Sequence, residues 1–169
     1  LYPSIALTGA HMYSADRELQ NLCVQAYNDW LYEFCEPAPN RLIGLPIGPM
    51  TGVEDLILEW RRVADRGAKG IIISSYPNGG NFAKPEDDRF WAEVQDWNYP
   101  VHIHFGFMST NPGASGAPPS GVSYMTSSFL SGFGASVFKP VADIVYGGLF
   151  EQFPKLKVVA VETGIGWIP

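Results

Sequence analysis

The sequence predicts an α/β domain in which parallel strands alternate with helices. Four short apolar runs are separated by segments whose apolar residues recur with helical spacing. The runs are nearly continuous in apolar residues, which is typical of strands covered on both faces. The connections between runs are long enough to hold a helix, and this favours right-handed βαβ units.

The four predicted strands are short. They are residues 41–50, 70–76, 101–105 and 157–163. The first predicted helix covers residues 16–36. Its apolar residues at helical spacing predict a buried stripe, made of Leu19, Leu22, Cys23, Ala26, Trp30 and Phe34. Asn28 and Asp29 lie in the middle of this helix, which favours tertiary hydrogen bonds over chemistry for both.

Three further helices are predicted between the remaining strands. The second begins at Thr51, where Glu54 three residues later completes a capping-box pattern, and it ends at Gly67. The third begins at Pro85 with carboxylates in its first turn. Its predicted buried residues are Phe90, Trp91, Val94 and Trp97. The fourth covers 135–153, and Pro140 either bends it or marks its start.

Residues 107–124 interrupt this alternation. They are rich in Gly, Pro and Ser and directly follow the third strand. A loop of this length in a compact domain is either functional or disordered. Two interpretations stay open, a lid or substrate loop over the strand end and a mobile surface loop.

Composition predicts an ordinary globular protein. Of 169 residues, 46% are hydrophobic and 17% are charged, and the formal net charge is -6. The negative charge argues against binding to nucleic acid or to an anionic membrane surface. No apolar run approaches the roughly 18–20 residues of a membrane span. The chain begins at Leu1 and stops after an apolar strand, so we expect a fragment of a longer protein.

The two cysteines predict a reducing compartment. Cys23 and Cys35 are twelve residues apart on one predicted helix, or about 18 Å along its axis. This separation is too great for a disulfide. Two unpaired thiols favour a cytoplasmic location.

The motif His102-Ile103-His104 carries the clearest sign of chemistry. Residues two apart in a strand share a face, so both imidazoles point the same way. Imidazole is the commonest metal ligand among side chains and an acid–base group near neutral pH. The alternative is a pair of buried, hydrogen-bonded core histidines. His11, in the loop before the first helix, either contacts substrate or is exposed to solvent.

Five segments in order resemble the amidohydrolase-related family of metal-dependent hydrolases and decarboxylases. They are AYNDWL at 26–31, RLIGL at 41–45, PVHIH at 100–104, FEQFPKLKV at 150–158 and VETGIGWIP at 161–169. The resemblance implies a (β/α)8 TIM barrel with a divalent metal, usually zinc, at its C-terminal mouth. Residues 1–169 then form one partial barrel domain, from the end of barrel strand 2 to barrel strand 6.

The resemblance also implies roles for particular residues. His104 takes the ligand position on barrel strand 5, and His102 lies one layer deeper. Glu162 stands where several relatives carry histidine, so it is expected to ligate the metal, zinc or manganese, or to orient a ligand. His104 and Glu162 are the predicted catalytic residues. The pair His102 and His104 is not the ligand pair of barrel strand 1.

Substrate contacts are predicted at the ends of two strands. Ser74, Ser75 and Tyr76 end the second strand and either donate hydrogen bonds to a substrate carboxylate or cap the following turn. Phe105 and other aromatic residues after the third strand favour a flat, partly apolar small molecule.

The function expected from this pattern is a metal-dependent hydrolase acting on a small organic substrate. Two alternatives stay open. One is a metal-dependent decarboxylase, and the other is an inert barrel fragment that forms a homo-oligomer through open sheet edges.

Overall fold

The computed structural model describes residues 1–3, 16–80, 82–104 and 140–161. Its helices α1 and α2 are Arg17–Cys35 and Val53–Asp65, followed by strand β1, Ile71–Ile73. A 3₁₀ turn, Pro85–Asp87, leads into α3, Asp88–Trp97, and then β2, Val101–Ile103. Residues 140–146 are helical. The last described elements are α4, Leu149–Gln152, and β3, Val158–Ala160.

The sheet is parallel, which confirms the predicted α/β class. Its strand order is β1-β2-β3, and the register aligns Ile72 with His102 and His102 with Val159. Alternate residues of these strands face opposite sides. Ile71, Ile73, Val101 and Ile103 pack against α2 and α3 in the main core. Ile72, His102 and Val159 therefore share the other face, which corresponds to the inside of a barrel.

The predicted strand 41–50 is reduced to one bridge, so its predicted length is wrong. Ile47 pairs in parallel with Ile72, through the bonds Gly48 N–H to Ile72 O and Ile72 N–H to Pro46 O. Pro46 and Pro49 have no N–H to donate to a ladder. The N–H and C=O of Ile47 itself form hydrogen bonds with the side chain of Asn28, on the side of the segment away from β1.

The bounds of α1 match the prediction, but its predicted buried stripe is wrong. Asp16 caps the helix by accepting a bond from the N–H of Leu19 at 3.0 Å. Leu22, Trp30 and Phe34 are each at least half exposed. The buried residues of α1 are instead Gln20, Val24, Asn28, Leu31 and Cys35. This face carries amides because it meets main-chain groups at the edge of the sheet.

The predicted capping box of α2 is also wrong. The helix begins after Gly52, which makes no side-chain cap bond. The hydroxyl of Thr51 donates instead to Asn21 Oδ1 at 2.9 Å, and the carboxylate of Glu54 pairs with Arg89. The predicted end is correct, because Gly67 has a φ of +89° that favours glycine.

The later helices agree with the prediction in part. Pro85 opens the third helical segment as expected, and Phe90, Trp91 and Val94 are buried, whereas Trp97 is 39% exposed. The predicted uninterrupted helix 135–153 is wrong. A turn at Gly147 and Gly148, with a φ of +76° at Gly148, separates residues 140–146 from α4. None of the helices in the described ranges is long and apolar enough to cross a membrane.

Candidate active site

His104 stands at the carboxyl end of β2. Its N–H donates to Ile73 O at 2.9 Å, so the ladder with β1 extends to this residue. Its side chain is 3% exposed. Because Ile103 packs in the main core, the alternation of the strand turns His104 to the opposite, barrel-interior face. Catalytic groups of parallel barrels lie at this end of the strands.

His102 lies one layer below His104 on the same face. Its Nδ1 is 2.9 Å from the hydroxyl of Tyr2, and the two rings meet edge to face at 5.6 Å. Burial lowers the pKa of His102. A Cβ on Gly70 would lie 3.1 Å from this ring and 2.7 Å from Pro100 O, so only glycine leaves room for it. His102 is thus a buried interior residue whose ring is packed between Tyr2 and Gly70.

The three residues that follow β1, Ser74, Ser75 and Tyr76, form hydrogen bonds with different parts of the structure. The Ser74 hydroxyl donates to the sulfur of Met50 at 3.4 Å. The Ser75 hydroxyl donates at 3.0 Å to the main-chain oxygen of the next residue, Tyr76. Tyr76 packs in the main core, and its hydroxyl donates to Asp143 at 3.0 Å. Burial raises the pKa of Tyr76, and Asp143 adds to that effect.

The other predicted site residues lie outside the described ranges. They are Glu162, Phe105 and His11. The loop 107–124 is outside these ranges as well. Of the predicted residues within the described ranges, Ser74 lies beside His104 on the neighbouring strand, whereas Tyr76 packs in the main core.

The described residues offer one candidate ligand for the expected metal. Among them, no group of three or more His, Cys, Asp or Glu side chains is placed to hold a metal ion. A buried imidazole at a strand end fits as one ligand, since neutral imidazole binds zinc and manganese alike. A structural or catalytic zinc site needs at least three protein ligands. Further ligands of such a site would have to come from residues beyond the described ranges.

Met50 makes contacts that the sequence did not reveal. Its N–H donates to Gln20 Oε1 at 2.7 Å, and its sulfur accepts the Ser74 hydroxyl. Gln20 is fully buried in α1, although its polarity and position predict a surface residue. The only signal in the sequence is that Gln20 lies eight residues before Asn28, and both fall on one helical face.

A polar network connects α1, α2 and the sheet edge. Asn28 donates to Ile47 O at 2.9 Å and to Glu59 Oε1 at 2.7 Å, and it accepts from Ile47 N–H. Arg62 then bridges Glu59 and Asp29. These bonds confirm the prediction that Asn28 and Asp29 serve tertiary hydrogen bonding.

A cavity of about 620 Å³ lies far from the strand ends that carry His104. Its lining includes Leu42, Gly44, Gly67 and Lys69, all of which precede the paired residues of their strands. It therefore opens at the amino ends of the strands. Active sites of parallel barrels lie at the opposite end, so this cavity is not the candidate site.

Comparison with known proteins identifies the family. The model of the amidohydrolase family matches residues 6–169, and the chain belongs to this family. The sequence is similar to a 2-amino-3-carboxymuconate-6-semialdehyde decarboxylase of Dictyostelium discoideum, at 30% identity over 141 residues. That match covers 83% of this chain and 37% of the relative. The chain therefore spans less than half of that relative's length.

Solved structures show the same fold. An amidohydrolase of Mycobacterium avium subsp. paratuberculosis matches at 25% identity with a TM-score of 0.66, over 88% of this chain and 39% of that one. A 2,6-dihydroxybenzoate decarboxylase of Rhizobium matches at 20% identity with a TM-score of 0.57, over 85% of this chain and 45% of that one. The α/β structure described above is accordingly part of a TIM barrel, as the resemblance implied.

Proposed function

We propose that this chain is part of a metal-dependent decarboxylase that acts on a small carboxylic acid. The observation that carries the proposal is the 30% identity over 141 residues with a decarboxylase. The position of His104 supports it, because a buried imidazole ends a strand at the mouth of the barrel. This choice reverses the order of the two activities that the sequence alone favours.

In this proposal His104 and Glu162 hold the metal, which is zinc or manganese. A bound divalent metal supplies a Lewis acid that polarises a substrate oxygen. His104 contributes an imidazole nitrogen from a side chain that is 3% exposed. Ser75, Tyr76 and Phe105 stay predicted substrate contacts.

A hydrolase of C–N or C–O bonds is the second candidate. It is supported by the description of the family model and by the similar amidohydrolase structure at 25% identity. The two reactions need the same strand-end metal and differ in whether a water molecule or the substrate's own carboxylate reacts. A small-molecule substrate and a cytoplasmic location belong to both candidates. The free thiols of Cys23 and Cys35 support the location.

An inert fragment that associates through its sheet edges is supported by one feature only. Val159 on β3 is 38% exposed on the barrel-interior face. At the other edge, the Asn28 side chain occupies the N–H and C=O of Ile47, which leaves less main chain for a neighbouring copy. The size of the purified protein in solution separates this proposal from the enzyme proposals, since a monomer contradicts edge association.

The reaction can be tested with the full-length protein and a panel of substrates. The panel contains 2-amino-3-carboxymuconate-6-semialdehyde, 2,6-dihydroxybenzoate, and a set of aromatic amides and esters. We expect release of CO2 from a carboxylic acid, its loss with a chelator, and its recovery on adding zinc or manganese. Cleavage of the amides or esters without CO2 release would support the hydrolase instead.

A further inference from the structure

Met50, Ser74 and His104 each follow the paired residues of a strand segment. The three segments are neighbours in the sheet, in this order. Ile47 aligns with Ile72, and Ile73 aligns with Ile103. The N–H of His104 reaches Ile73 O at 2.9 Å, so residues 74 and 104 continue the register by one step. Ser74 is therefore the neighbour of His104 on the next strand.

Ser74 and His104 also share a face of the sheet. Ile73 and Ile103 both pack in the main core with α2 and α3. Side chains alternate along a strand, so the residues that follow each isoleucine turn to the barrel interior. Both side chains are almost fully buried, with exposures of 1% for Ser74 and 3% for His104.

The hydroxyl of Ser74 is bound to a weak acceptor. It donates to the Met50 thioether at 3.4 Å, and thioether sulfur accepts hydrogen bonds poorly. The hydroxyls of Ser75 and Tyr76 instead donate to a carbonyl and a carboxylate, both at 3.0 Å. A carboxylate oxygen that reached Ser74 would be a stronger acceptor than the sulfur it replaces.

We propose that Ser74 is a substrate-binding and specificity-determining residue. It exchanges its bond to the Met50 sulfur for a bond to a carboxylate oxygen of the substrate beside His104. Gln20 holds the N–H of Met50 at 2.7 Å, so the sulfur can move by side-chain rotation while the main chain stays in place. This inference rests on the proposed function, because the ligand is the carboxylate of a decarboxylase substrate.

The test compares Ser74→Ala, Ser74→Thr and the control Tyr32→Phe in the full-length protein. Tyr32→Phe also removes one hydroxyl, which donates to Val63 O and lies at the cavity far from His104. Binding of 2,6-dihydroxybenzoate is measured by calorimetry, turnover of both acids of the panel by CO2 release, and metal content by elemental analysis. We expect Ser74→Ala to raise Kd and KM roughly 10- to 100-fold, the effect of losing one hydrogen bond to a charged group. Metal content and kcat should change much less than KM.

The two further variants sharpen the result. Ser74→Thr keeps the hydroxyl and should bind within a few-fold of the wild type, whereas Tyr32→Phe should match the wild type. Equal effects of Ser74→Ala and Tyr32→Phe, or loss of metal in Ser74→Ala, would overturn the assignment of Ser74. Release of CO2 by the wild type would still uphold the proposed function. Wild-type protein that releases CO2 from neither acid would overturn both.

Discussion

At the residue scale, Asn28 closes the edge of the sheet beside Ile47. Its amide gives one bond to Ile47 O, takes one from Ile47 N–H, and gives another to Glu59. The first two are the bonds that a neighbouring strand would form. Asn28 is fully buried, so its removal leaves main-chain groups without partners away from water.

Replacing Asn28 should destabilise the fold strongly. We expect Asn28→Ala to lower the free energy of unfolding by about 2–4 kcal/mol, because buried polar groups at Ile47 and Glu59 lose their partner. Asn28→Asp should cost at least as much near neutral pH, since a carboxylate then faces the Glu59 carboxylate. Urea denaturation measures both, with the exposed Asn40→Ala as the control. A loss as small as that of Asn40→Ala would contradict the network.

Asp55 is the residue that ties the start of α1 to α2. Arg17 donates to both of its carboxylate oxygens, at 2.6 and 2.7 Å, and Asn21 donates at 3.0 Å. The bonds from Arg17 lower the pKa of Asp55 to about 2. The folded state therefore holds this carboxylate ionised at a pH where the unfolded chain protonates it.

This pairing predicts a defined loss of stability in acid. The contribution of Asp55 is complete above about pH 4 and is lost as pH falls toward about 2, where the folded state also takes up the proton. Thermal melting of Arg17→Ala should fall less steeply across this window than that of the wild type. Arg89→Ala, from the exposed pair with Glu54, should follow the wild-type curve. Parallel curves for Arg17→Ala and the wild type would refute the assignment.

At the element scale, α1 shows why an apolar stripe does not always mark the core. Periodicity identified a helix over 16–36 correctly and its inward face wrongly. The inward face meets the edge of the sheet, where main-chain N–H and C=O groups require polar partners such as Gln20 and Asn28. Hydrophobicity alone carries no information about such main-chain partners.

Two leucines of α1 test which face is buried. Leu31 is 1% exposed and Leu22 is 55% exposed. We expect Leu31→Ala to lower the free energy of unfolding by about 2–4 kcal/mol, as for buried leucines in other cores. Leu22→Ala should cost below about 1 kcal/mol, because most of its surface already meets water. Equal losses in urea denaturation would mean that the outer face of α1 is covered.

In other elements, too, a local sequence pattern predicted the structure in one place and a distant contact overrode it in another. The run Ile71–Ile73 was predicted as a strand and is one, because three β-branched residues favour extended chain that is buried on both faces. The capping-box pattern at Thr51 failed because Asn21 offered its hydroxyl a partner on another helix. Local patterns were thus reliable where no distant residue competed for the same group.

At the scale of the whole molecule, the sequence predicted the fold class and the placement of His104. Parallel strands with helical connections follow from apolar runs and their spacing, and the position of His104 follows from strand alternation. The partners of Ser74, Met50 and Gln20 could not be predicted, since their contacts join residues 24 and 30 positions apart. The chain matches less than half the length of its relatives. The activity of the whole protein therefore stays a proposal.

The role of His104 is tested by measuring the metal content and CO2 release of full-length His104→Ala, with His102→Gln as its control. We expect His104→Ala to lose bound zinc or manganese and its turnover to fall at least about 100-fold, because mutating even a residue that only orients a metal ligand costs 10- to 100-fold. His102→Gln should keep its metal. Unchanged metal content and turnover in His104→Ala would mean that His104 is not a metal ligand of the active site.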